Sequence, residues 1–108
     1  MTTMSIKLLA DGQLPNAKGT LYTVPGGTTA IIKTITYVNT ESSTRTVNLY
    51  LKDSVGASRR IIPMNMSMGI GYMAVYNNEL TLEAGDLIEG DASVATVVDY
   101  TINGVEKS

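Results

Sequence analysis

The stretch that most narrows the possible folds is TVNLYLKD, Thr46–Asp53, in which apolar and polar side chains strictly alternate. On an extended chain Val47, Leu49 and Leu51 point to one face and Asn48, Tyr50 and Lys52 to the other. Spacing of two recurs along the chain in short runs broken by Gly, Pro, Asn, Asp and Ser, the pattern of strands and turns. A helical period is hard to find.

The runs predict strands near Ser5–Leu9, Thr20–Val24, Thr29–Asn39, Thr46–Lys52, Arg59–Ile62, Leu80–Leu82, Leu87–Ile88 and Ser93–Ile102. Between them, ADGQLPNAKG and NTESSTR read as loops, and Pro25-Gly26-Gly27 as a corner. About 7–9 short strands with turns at this spacing predict an all-β fold. The expected form is a single antiparallel β-sandwich, jelly-roll-like or immunoglobulin-like, over residues 1–108. Short tails are expected at 1–4 and at 103–108, where NGVEKS follows the last run.

Composition removes several classes of function. The 108 residues carry a formal net charge of −2 and a pI near 4.9, which offers no basic footprint for nucleic acid. The chain has no cysteine and no histidine, so thiolate chemistry, disulfides, the commonest general base and the commonest metal ligand are all missing. The apolar run in MTTMSIKLLADGQ is too short for a signal peptide or a membrane span. A soluble protein made in the cytosol, with no membrane partner, is expected.

Glu83, Asp86, Glu89 and Asp91 cluster in sequence around two Gly-Asp turns, but they lack the spacing of a calcium loop, and turn chemistry alone accounts for them. Serines and threonines have no histidine to activate them. Lys7, Lys18, Lys33, Lys52 and Lys107 are scattered as surface charges are. Gly69-Ile70-Gly71 lacks the Lys-Ser/Thr ending of a phosphate loop. No residue set supports an enzyme or a cofactor. The six tyrosines could stack on sugars, but cross-strand pairing in a sheet is the favoured explanation of them.

One segment, PMNMSMGIGYMAVY, stands out. If it is extended, Met64, Met66, Met68, Ile70 and Tyr72 share one face, and that face could fill a core or form an adaptable contact surface. As a protein interface, Met64, Met66 and Met68 would be replaceable by serine without unfolding the chain.

LYTVPGGTTAIIKTITYVNT, then RTVNLYL and LTLEAGDLIEGDAS, together resemble small β-sandwich structural proteins of tailed bacteriophages. The shared outline is Leu-Tyr-Thr-Val-Pro, a Gly-Thr corner, a strand ending in Asn, a Val-x-Leu-x-Leu strand and a Leu-x-x-Gly-Asp turn. It spans Leu21 to Val105, with PGG where PAG is usual, and the methionine segment is not part of it. The resemblance implies a virion component without enzymatic activity and does not fix its station; a capsid decoration protein is the first expectation and a neck or tail component the second. Its implied partners are the major capsid protein or neck and tail proteins, together with further copies of itself as a trimer or hexamer.

Overall fold

The computed structural model describes residues 3–108. Their ten strands are β1 (Met4–Gln13), β2 (Gly19–Thr23), β3 (Thr29–Asn39), β4 (Arg45–Lys52), β5 (Ser58–Arg60), β6 (Met66–Met68), β7 (Met73–Tyr76), β8 (Leu80–Leu82), β9 (Leu87–Ala92) and β10 (Val98–Lys107). Every pairing is antiparallel. The first sheet runs β1-β10-β3, with β7 and β8 sharing the far side of β3. The second runs β2-β9-β4, with β5 and β6 sharing the far side of β4.

Because β5 and β6 together fill one edge position, and β7 and β8 another, the ten strands occupy eight positions. Numbered along the chain, these lie in the orders 1-8-3-6 and 2-7-4-5. That wrapped order is the jelly roll, so the choice left open with an immunoglobulin-like order resolves to the jelly roll. The alternation seen in β4 is realised, with Val47 and Leu49 fully buried between the sheets. They meet Ile32, Ile35, Val98 and Ile102 of the first sheet and Ile88 of the second in one core.

β10 is the spine of the first sheet, paired along its whole length with β1 on one side and β3 on the other. Both neighbours carry one extra residue next to Asn103, Leu9 in β1 between the Leu8–Asn103 and Ala10–Ile102 pairs, and Lys33 in β3 between Thr34–Asn103 and Ile32–Gly104. An extra residue resets which side chains point inward. In β3 the buried set changes from Ala30 and Ile32 to Ile35, Tyr37 and Asn39 across Lys33. In β1 the same reset leaves Met4, Ile6 and Leu8 exposed on the outer face, while Leu9 and Ala10 both pack on the core.

Two expectations are corrected here. Residues 103–107 are strand, not tail: the Asn103-Gly104 turn signal is overridden because both flanks are paired. The same pairing extends β1 to Gln13, so ADGQ is strand where a loop was expected. Of the expected N-terminal tail, Met4 opens β1, and residues 1 and 2 lie outside the described residues. The last strand starts at Val98 because residues 93–97 carry the chain from one sheet to the other.

The Pro-Gly-Gly corner is a turn closed by the Thr28 amide on the Pro25 carbonyl at 3.2 Å, with Gly27 at φ 72°, where a side chain would be strained. The corner is also tied to the Gly85-Asp86 turn. Val24 donates to the Asp86 carbonyl (2.9 Å) and accepts from the Gly85 amide (3.1 Å). Two distant pieces of the resemblance therefore meet in space.

Gly104 is the closest approach in the sheet, since a Cβ there would lie 2.1 Å from the Ile31 carbonyl oxygen and 3.0 Å from Leu9 Cδ1. Gly104→Ala should therefore destabilise by about 3 kcal/mol and lower the melting temperature by roughly 10 °C or more. Thermal denaturation followed by circular dichroism measures it, and an unchanged midpoint would mean that the strands do not approach there.

Candidate functional site

The methionine segment is not one extended strand. It is β6, a turn closed by the Tyr72 amide on the Gly69 carbonyl (3.1 Å), and β7, so its residues pass from the second sheet to the first. Asn39 fixes this corner from within. It is fully buried, and its Nδ2 donates to the carbonyls of Ser43 (2.8 Å), Met68 (3.1 Å) and Gly69 (3.2 Å). Its Oδ1 accepts from the Glu41 amide at 3.0 Å, so a buried amide is satisfied at both ends.

The turn divides the five expected interface residues. Met68 is 2% exposed and belongs to the core. Met66 is partly buried and takes a contact from the Tyr37 hydroxyl at 3.8 Å. Met64, Ile70 and Tyr72 stand open at 63–67%. They do not share a single face as predicted, because Gly71, at φ 68°, sits inside a turn rather than a strand.

Sequence reasoning placed Met73 on the opposite face and passed over Val75. Both lie on the outer face of β7, exposed at 63% and 49% and paired with Val38 and Thr36. Ile70, Tyr72, Met73 and Val75 make an apolar ledge at this edge of the first sheet. At the other edge Met4, Ile6 and Leu8 are exposed at 65%, 88% and 51%. Their alternation is visible in the sequence, but its outward direction depends on the extra residue at Leu9, which no local signal marks.

The titratable groups serve structure. Asp86 Oδ1 accepts from the Ser54 amide (3.1 Å) and Oδ2 from the Glu83 amide (2.9 Å). Asp53 Oδ1 accepts from the Val55 amide (3.1 Å). These aspartates line an open cleft of about 420 Å³ with Arg59, Leu51 and Thr81, and their turn bonds account for them. Glu89 accepts from the Ser58 hydroxyl. Asp91 belongs to a network on the outer face of the second sheet. Its two oxygens take Asn48 Nδ2 (2.8 Å) and the Tyr50 hydroxyl (3.2 Å), while Asn48 Oδ1 takes Arg60 (2.5 Å) and the Asn65 amide (2.8 Å). Lys18 and Arg60 lie 4.8 and 5.0 Å from the Tyr50 ring centre. The network holds Asn65 at φ 51° and so fixes the approach to β6. Among the described residues, no group of three or more Asp or Glu could hold a metal.

Glu106 ties the open end of the sandwich together. It pairs with Lys7 at 2.7 Å and accepts the Tyr22 hydroxyl at 2.5 Å. Hydrogen bonds from Lys7 and then Tyr22 hold its carboxyl below the usual range, against a smaller opposing effect of burial. Burial, reinforced by Glu106, pushes the Tyr22 hydroxyl well above the ordinary tyrosine range.

The division of the methionines is testable by single substitutions. Met68→Ala should cost about 2–4 kcal/mol by opening a core cavity, and Met64→Ala less than about 0.5 kcal/mol. Urea denaturation of both variants measures this, and equal midpoints would contradict the assignment.

No family model matches the chain, and no curated protein matches it. Among solved structures it is similar to a chain in the structure of infectious bursal disease virus Gx strain, with a TM-score of 0.47 and 10% identity over 99% of this chain. A chain in the structure of the Gt strain gives 0.44 and 10% identity over 98%. This chain spans 32% of each of those chains. Likeness at this level does not extend to function.

Proposed function

We propose that this chain is a non-enzymatic structural component of a tailed-bacteriophage virion, and within it a capsid decoration protein that binds the major capsid shell. The observation that carries the reading is the pairing of a chemically quiet sandwich with apolar side chains turned outward at both edges of one sheet. A monomer that keeps Ile6, Tyr72 and Met73 in water gains nothing from them, whereas contact surfaces use such groups. The ordered resemblance from Leu21 to Val105 supplies the particle. In support of it, its Val-Pro and Gly-Asp pieces bond to each other, and the Asn that ends its long strand clamps the β6–β7 corner. The ledge at Ile70, Tyr72, Met73 and Val75 is the surface for the shell.

A neck or tail position, as adaptor or fibre base, is the second reading of the same resemblance. A carbohydrate-binding sandwich is disfavoured by the tyrosines. Tyr22, Tyr37, Tyr50 and Tyr100 are buried and Tyr76 is half-buried, which leaves Tyr72 as the one open ring for stacking on a sugar.

Quantitative mass spectrometry of purified particles tests the proposal. Hundreds of copies per particle are expected for decoration, about a dozen or fewer would move the protein to the neck or tail, and none would refute both. Tyr72→Ser with Met73→Ser should strip the protein from the shell while leaving its melting temperature unchanged.

A further inference from the structure

We propose that β1 pairs with β1 of a second copy of this chain, antiparallel about a two-fold axis at Ile6, so that the first sheets of two copies become one continuous sheet. This pairing is independent of the particle the protein serves. It also differs from the trimer or hexamer implied by resemblance, because a two-fold contact of identical strands closes at two copies.

The hydrogen-bond pattern of β1 dictates the geometry. Thr3 and Ser108 exchange both of their backbone bonds, at 3.0 and 2.9 Å. In an antiparallel ladder such pairs alternate with pairs whose N–H and C=O groups point away from each other. From the register Ser5–Glu106, Ile6–Val105 and Lys7–Gly104, Ser5 and Lys7 therefore bond to β10. Met4, Ile6 and Leu8 turn their amides and carbonyls to the open edge, since β1 ends the sheet. These residues also carry the exposed apolar side chains.

Natural sheets blunt such edges with prolines, bulges or free lysines. Met4–Leu8 contains no proline, and its extra residue comes only at Leu9. Its one lysine points away from the apolar row, held by Glu106 at 2.7 Å.

A second copy fits this edge in one register. With Ile6 opposite Ile6, Met4 stands opposite Leu8 and Leu8 opposite Met4, each pair exchanging two backbone bonds. The two apolar triads then merge into one row on the outer face. On the other face Lys7 stands opposite Ser5, so no like charges meet. A shift of two residues toward Leu8 would put Lys7 against Lys7, which is unfavourable. A shift the other way leaves Leu8 without an apolar partner. The self-complementarity of the triad and the charge pattern together select a second copy over an unrelated strand.

Sedimentation equilibrium of the purified chain is the test. The wild type should reach twice the 11.5 kDa mass of one chain. Ile6→Pro removes a donor that points to the edge and leaves the β1–β10 bonds intact. It should weaken dimerisation about tenfold or more, with a melting temperature within a few degrees of wild type in dilute solution. Should proline disturb the fold, Ile6→Lys decides in its place by setting two charges against each other across the axis. A wild type monomeric up to about 1 mM overturns the proposal. So does an assembly of any size that persists unchanged in the folded variant, because another surface would then hold it.

Discussion

The architecture depends on one close approach, that of the Ile31 backbone and the Leu9 side chain to Gly104. β10 can be flanked this closely because Gly104 has no side chain, and the extra residues at Leu9 and Lys33 sit on either side of that point. Their effect is directional. Without the one in β1, the even-numbered residues that follow Ala10 inward would continue inward, and Met4, Ile6 and Leu8 would lie under the sheet. With it, they stand in water, and Lys7 turns in to meet Glu106. A local irregularity in backbone spacing thus decides which chemistry the edge presents.

Hydrogen-bonded polar side chains do the corresponding work in the loops. Asn39 spends its whole hydrogen-bonding capacity on the carbonyls of Ser43, Met68 and Gly69 and the amide of Glu41. Asp86 ties its own turn to the Asp53 loop. A buried amide is costly if left unpaired, so Asn39 fixes the corner it serves in one arrangement. As a result, Ile70, Tyr72, Met73 and Val75 are exposed from a corner that Asn39 holds in place.

Much of the fold was legible because β-patterning is local. The alternation of β4, the long β3 from Thr29 to Asn39 and the Gly85-Asp86 turn stand where spacing put them, whereas Gly90-Asp91, expected as a second turn, is paired strand within β9. What failed was non-local. Asn103-Gly104 looks like a turn until two strands flank it. Met64 to Tyr72 look like one face until Asn39 bends the chain between them. The outward row of β1 could be seen as a row, but its direction follows from a register shift against residues almost a hundred positions away.

Together these features describe a sandwich whose interior is closely packed and whose first sheet exposes apolar side chains at both edges. Residue-resolved amide hydrogen exchange across a dilution series tests this most directly. The amides of Ser5 and Lys7 should be protected at every concentration, while those of Met4, Ile6 and Leu8 exchange rapidly when dilute and slow on concentration. Equal protection across residues 4–8 in dilute solution would contradict the outward turn of β1, and with it the account of how this chain presents its edge.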